Sequence, residues 1–160
     1  MIILGLDPGS HTTGYAILDA ERATVSFVEC GSLENEELAA WLYDDAHDVD
    51  CVAIERIEGV AFAPKGAGIV PHLLSASNAA GVAKGAAQLL STNRARVHIV
   101  EASAREWRKA IVGKANASDA DVKRVVTLHV QGWPKVSNAH ERDAAGVAMY
   151  AARRVRLEAA

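Results

Sequence analysis

Three carboxylates and one imidazole stand where apolar runs begin or stop. Asp7 follows Ile2-Ile3-Leu4-Gly5-Leu6, and Glu55 follows Cys51-Val52-Ala53-Ile54. Asp143 opens an apolar-faced segment near the C-terminus, with His140 one turn before it. Side chains three apart on a helix share one face. If the two apolar runs are neighbouring strands, Asp7 and Glu55 emerge side by side at one sheet edge. A helix carrying His140 and Asp143 can then reach the same spot. Carboxylates brought that close repel unless a cation holds them. Oxygen-rich ligation suits Mg2+ or Mn2+. Two such ions about 3.5–4 Å apart can activate water and stabilise the leaving oxygen of a phosphodiester. The chemistry implied is phosphodiester hydrolysis with no covalent intermediate.

Each of the four residues also has a plain structural reading, and spacing alone leaves both open. Asp7 in Asp7-Pro8-Gly9 fits a turn. Glu55 fits a solvated strand end. His140 fits a helix start with no chemical role. Asp143 fits a first-turn acid stabilised by the helix macrodipole.

The elements that must carry these groups follow from pattern. Ile2 to Leu6, Thr13 to Leu18 and Ala23 to Cys30 read as strands, the last from its β-branched and aromatic content. Pro8-Gly9-Ser10 supplies a turn, and Gly14 allows close backbone approach. These three strands read as an antiparallel meander. Asn35 to Ala46 reads as a helix, Cys51 to Ile54 as a fourth strand, and Gly59 to Pro71 as a loop. Leu73 to Leu90 is a long helix of Ala and Gly suited to close packing, and Val97 to Val100 is a fifth strand. Ala104 to Ile111, Ser118 to Val130 and Glu141 to Leu157 read as helices; Ser118 with Asp121 forms a capping box in kind. The order predicts an α/β fold: a mixed five-stranded sheet with helices on both faces.

The 160 residues fit a single domain, 1–160, large enough to bury roughly 70% of its unfolded surface. Half the residues are hydrophobic, which excludes a disordered chain. The net charge of −3 weighs mildly against nucleic-acid binding, yet a carboxylate-rich site lowers the sum, and distribution matters more. Cys30 and Cys51 lie in strand-like runs with no metal-ligand spacing, so they read as buried thiols of a reduced interior. Met1 to Asp7 lacks a basic n-region, and no apolar run approaches the roughly 20 residues of a membrane span. The expectation is a soluble, cytoplasmic protein. Trp41, Trp107 and Trp133 read as core or interface.

Several stretches, in order along nearly the whole chain, resemble one family. Ile3-Leu4-Gly5-Leu6-Asp7-Pro8-Gly9-Ser10 followed by Thr13-Gly14-Tyr15 resembles the opening of RuvC-type Holliday junction resolvases, of the RNase H-like superfamily. Val52-Ala53-Ile54-Glu55 resembles their second acidic strand end. Ala79-Ala80-Gly81-Val82-Ala83, Ile111-Val112-Gly113 and His140-Glu141-Arg142-Asp143-Ala144-Ala145 resemble their long helix, their V-x-G turn and their closing motif.

The resemblance implies an RNase H-like fold and a homodimer. It implies Mg2+-dependent, paired nicking of four-way DNA junctions that leaves 5′-phosphates, with two ions per site and Mn2+ as a substitute. Asp7, Glu55, His140 and Asp143 would be the metal-binding catalytic set, with no ligand role for Glu141. Phe62, Lys65, Arg108, Lys109, Lys114 and Lys123 would contact DNA. A branch-migration helicase is the partner implied in a bacterium.

The chain departs from the pattern after Glu55. The family's Gln is replaced by Arg56-Ile57-Glu58, and Phe62, a base wedge or plain core, is the nearest aromatic. A family lysine appears as Asp119, with Lys114 or Lys123 as substitutes. Two other readings compete: an RNase H-like nuclease acting on other branched DNA or RNA, and a nucleotide-binding domain of the actin and sugar-kinase type.

Overall fold

Unbroken apolar runs, as in Ile2–Leu6 and Cys51–Ile54, mark strands covered on both faces. A computed structural model describes residues 1–21, 24–44, 48–58, 69–93 and 97–158. In it β1 (Ile2–Pro8) pairs antiparallel with β2 (Thr12–Asp19), and β2 pairs antiparallel with β3 (Val25–Glu34). The predicted meander is therefore present. On the other side of β1, β4 (Cys51–Arg56) pairs parallel, with Leu6 opposite Ile54. β5 (His98–Ser103) pairs parallel with β4. The sheet order is β5-β4-β1-β2-β3-β6.

The sheet has six strands where five were expected. The sixth, β6 (Val130–Gln131), follows directly on a helix and pairs parallel with Val25 and Ser26. Two residues carry no readable period, so Val130 passed as a helix end. β3 also runs past Cys30 to Glu34, because Gly31 to Glu34 stay paired with Thr12 to Tyr15. Helix α1 is Leu38–Asp44, shorter than expected at its start. The Asn35 side chain donates to the Gly9 carbonyl (3.0 Å) and accepts from Thr13 Oγ1 (2.8 Å), so Asn35 belongs to the hairpin turn. α2 is Ile69–Asn93, starting earlier than Leu73; Pro71 is tolerated in a first turn. Of the predicted loop, 59–68 lies outside the described residues, as do Asp45 and Ala46. α3 (Ala104–Ile111) and α4 (Asp119–His129) each begin with a complete capping box, on Ser103 and Ser118. α5 is Ala139–Glu158.

Period-2 alternation sends the two halves of each central strand to opposite cores. Leu4, Leu6, Val52 and Ile54 pack with Leu38 and Leu42 of α1 and Ala83 and Ala87 of α2. Ile3, Cys51 and Ala53 pack with Trp107 of α3, Val122 and Val126 of α4, and the Ala-rich face of α5. Gly5, Asp7 and Glu55 share the parity of that second set, so the acids emerge on the α5 face. Trp41 packs at a tilt against Tyr15 (4.6 Å) at the margin of one core, and Trp133 meets Phe27 edge-on (5.5 Å) in the other. No helix among the described residues is long and apolar enough to cross a membrane.

α5 lies unusually close to the sheet, because the strands beneath it lack side chains at two points. A Cβ on Gly5 would run into the Ala144 carbonyl, and one on Gly14 would stand 2.5 Å from the carbonyl carbon of His140. Gly5→Ala should therefore destabilise the protein by about 3 kcal/mol, at the upper end for overpacking against backbone. Gly81→Ala, with open space around it in α2, should instead stabilise by about 1 kcal/mol through helix propensity. Denaturant melts of the two variants check the contrast; equal effects would contradict the close packing.

Candidate active site

The ends of β1 and β4 carry the first two acids. Leu6 and Ile54 are partners in the parallel ladder, so Asp7 and Glu55 leave the sheet side by side. α5 supplies the other pair from its first turns. Its start is fixed by a reciprocal cap: Asn138 N donates to Glu141 and Glu141 N donates to Asn138, both at 2.9 Å. Glu141 is thereby spent on the helix end. His140 and Asp143 point toward the strand ends.

Each acid has a protein partner. His140 Nδ1 lies 2.6 Å from Asp7 Oδ2. Trp107 Nε1 donates to Glu55 Oε2 at 2.7 Å. Arg108 donates to Asp143 Oδ2 at 2.6 Å. Asp7 is 7% exposed, so its charge is largely removed from water. Burial, with Asp7's charge next in size, pushes the Glu55 carboxyl up to about 7; the Trp107 bond opposes the rise. Burial pushes Asp143 up to about 6 against the pull of Arg108, and Asp7 adds to the rise. His140 is raised by its bond to Asp7, with burial opposing. Among the described residues, no three acid, His or Cys side chains are drawn together tightly enough to enclose an ion as they lie.

His140 thus touches Asp7, and Glu55 and Asp143 lie within electrostatic reach of Asp7, so the four residues singled out for chemistry surround the same strand ends. Of the basic set, Arg108 reaches the site. Lys109 is exposed on α3, Lys114 lies 3.9 Å from Asp121, and Lys123 is exposed on α4. Phe62 and Lys65 lie outside the described residues. Arg56, in the place of the family's Gln, pairs with Glu58 (3.2 Å) and Glu106 (3.3 Å). Two contacts were not foreseen. Trp107, read as core, is fully buried and also donates to Glu55. The available signal was the indole N–H, which needs an acceptor when buried. Arg108, read as a DNA contact, lies on Asp143, and spacing gave no sign of it.

A mixed sheet led by an antiparallel meander, flanked by helices on both faces and carrying acids at adjoining ends of its central strands, is an RNase H-like nuclease fold. A family model described as "Crossover junction endodeoxyribonuclease RuvC" matches residues 3–151. The chain belongs to the RuvC family of crossover junction endodeoxyribonucleases. The RuvC of Coxiella burnetii (strain RSA 331) is 30% identical over 159 residues, covering 98% of this chain and 90% of that protein. The Thermus thermophilus RuvC structure matches with a TM-score of 0.75 at 16% identity, over 99% of this chain and 97% of that one. Thermus thermophilus RuvC in complex with Holliday junction substrate also matches at 0.75, with 17% identity, over 99% and 96%. Family membership favours a nuclease over the nucleotide-binding alternative.

The protonation pattern makes a prediction about the metal-free protein. A carboxyl with a raised folded pKa holds more protons folded than unfolded, so stability falls as pH rises through the interval. For Glu55 that interval runs from 4.5 to about 7, and for Asp143 from 3.8 to about 6. The raised His140 acts in the same direction, its stabilisation being lost as pH rises past its ordinary 6.5. The melting temperature in EDTA should therefore fall across the Glu55 interval, and Glu55→Gln should flatten the fall. A melting temperature that rises there would contradict the charge burial described.

Proposed function

We propose that this chain resolves four-way DNA junctions by paired, symmetric, metal-dependent hydrolysis of phosphodiester bonds. The observation carrying this is the convergence of Asp7, Glu55, Asp143 and His140 where β1, β4 and α5 meet. The donor set fits a hard divalent cation. It offers carboxylate oxygens and one imidazole and no thiolate, and burial leaves its negative charge short of compensation. Mg2+, with Mn2+ as a substitute and two ions per site, is the cofactor we assign. Asp7, Glu55, His140 and Asp143 would hold it, and its chemistry would be to activate a water and stabilise the leaving oxygen.

The chain's own residues prepare that reaction. Asp7 and Glu55 are held by strands whose register is fixed on both sides. Trp107 orients Glu55 through its indole N–H. The 5′-phosphate end expected of the product requires the 3′-oxygen to leave as water attacks phosphorus.

Paired cutting needs two sites, hence a homodimer. Leu74, Val82 and Leu89 are 48%, 43% and 59% exposed, and their spacing puts them on one stripe of α2. That stripe supports dimerisation through α2. The DNA-contact set remains Phe62, Lys65, Arg108, Lys109, Lys114 and Lys123. A substrate of chromosomal or phage DNA implies a cytoplasmic location, and a branch-migration helicase is the partner expected in a bacterial host.

The test is cleavage of a synthetic four-way junction against linear duplex in Mg2+ or Mn2+. Symmetric nicks in the junction and little cutting of duplex are expected. Asp7→Asn should slow cutting by about 10³-fold or more, the equivalent of several kcal/mol of lost metal assistance, while junction binding persists. Full activity in that variant would refute the assignment.

A further inference from the structure

Two successive residues of α3 each donate to a different half-buried acid, and they do so in unlike ways. Trp107 is neutral and fully buried, and its N–H orients Glu55 without cancelling its charge. Arg108 brings a full positive charge to Asp143 at 2.6 Å. The same guanidinium donates to the Ala117 carbonyl at 3.2 Å, stands 4.0 Å from Asp119, and lies over the Trp107 ring at 5.2 Å. Its side chain is 21% exposed and that of Asp143 15%, so the pair sits in a medium that screens charge poorly. Arg108 Nε is buried with no hydrogen-bond acceptor. A guanidinium that leaves one N–H unsatisfied is held here by charge, not by a complete set of acceptors.

We propose that Arg108 is the resident counter-cation of Asp143 and competes with the divalent ion for that carboxylate. The inference rests on the metal reading above and adds a second occupant to it. With no ion present, the guanidinium neutralises Asp143 and so stabilises a half-buried acid that would otherwise stand uncompensated. A divalent ion entering beside Asp7, Glu55 and Asp143 meets the repulsion of Arg108 and a carboxylate oxygen already engaged. By linkage the effect is mutual: the ion loosens Arg108 by the factor by which Arg108 weakens the ion. The freed guanidinium is then available as a donor beside the reacting centre. Lys109 is the natural control, because it carries the same formal charge one residue further along α3 and is exposed.

The experiment is titration of the metal-free protein with Mn2+, following the electron paramagnetic resonance signal of the free ion. Arg108→Met should bind Mn2+ about tenfold tighter than the unaltered protein, inside the range of about 5- to 150-fold typical when one binding event weakens another. Lys109→Met should lie within about twofold of it, as expected of a screened surface charge. In an Asp143→Asn background, Arg108→Met should have no further effect. Arg108→Gln, which can still donate to the Ala117 carbonyl, repeats the measurement should the Met form fail to fold. Equal affinities for the Arg108 and Lys109 variants, or no gain over the unaltered protein, would overturn the competition while leaving the metal site intact. Failure of the unaltered protein to bind Mn2+ would overturn the metal reading itself, and the competition with it.

Discussion

Asp7 and Glu55 leave adjacent parallel strands on the face that α5 covers, so two carboxylates lose water within reach of each other's fields. Asp143 descends on them from α5 and is desolvated in turn. The coupling follows from geometry, not from any one acid's identity. A strand pair in this register, at this depth, concentrates negative charge at one point of the fold. The protein answers with one donor for each acid: His140 for Asp7, Trp107 for Glu55 and Arg108 for Asp143. Only Arg108 among these is a permanent cation, and the burden of neutralisation is therefore uneven.

Close approach of α5 makes the rest possible. Residues 144, 145, 148, 151 and 152 are alanines, all essentially buried, and they meet strands that carry glycine at 5 and 14. With larger residues at either surface the helix would ride higher, and His140 and Asp143 would leave the strand ends. Gly146 has the same role toward α3, since a Cβ there would press into the Trp107 ring. The indole can therefore lie under α5 and still reach Glu55. Small residues set the depth of packing, and depth sets the electrostatics of the site.

The acidic set was legible because each member ends or opens an apolar run, and strand ends and helix starts are where pattern is strongest. The adjacency of β1 and β4, on which the site depends, is a matter of the parallel register and not of either run's own pattern. The meander was legible from turn residues and β-branched content. The features that sequence pattern does not reveal lack a local signal. β6 is two residues long and is defined by its partner, not by its own pattern. Asn35 looked like a helix residue, yet its side chain is committed to the turn beside Asp7. The Arg108–Asp143 and Trp107–Glu55 pairs join residues 35 and 52 apart in sequence, and no spacing rule reaches so far. Family membership, carried by residues 3–151, agrees with the reading of the motifs.

The claim on which the mechanism stands is that Asp7, Glu55 and Asp143 share a divalent ion. Anomalous diffraction from crystals grown with Mn2+ locates such an ion directly. A manganese peak is expected at the junction of β1, β4 and α5, ligated by all three carboxylates, with the Arg108 guanidinium moved off Asp143. Manganese bound only elsewhere, with Asp143 still paired to Arg108 at saturating metal, would contradict it.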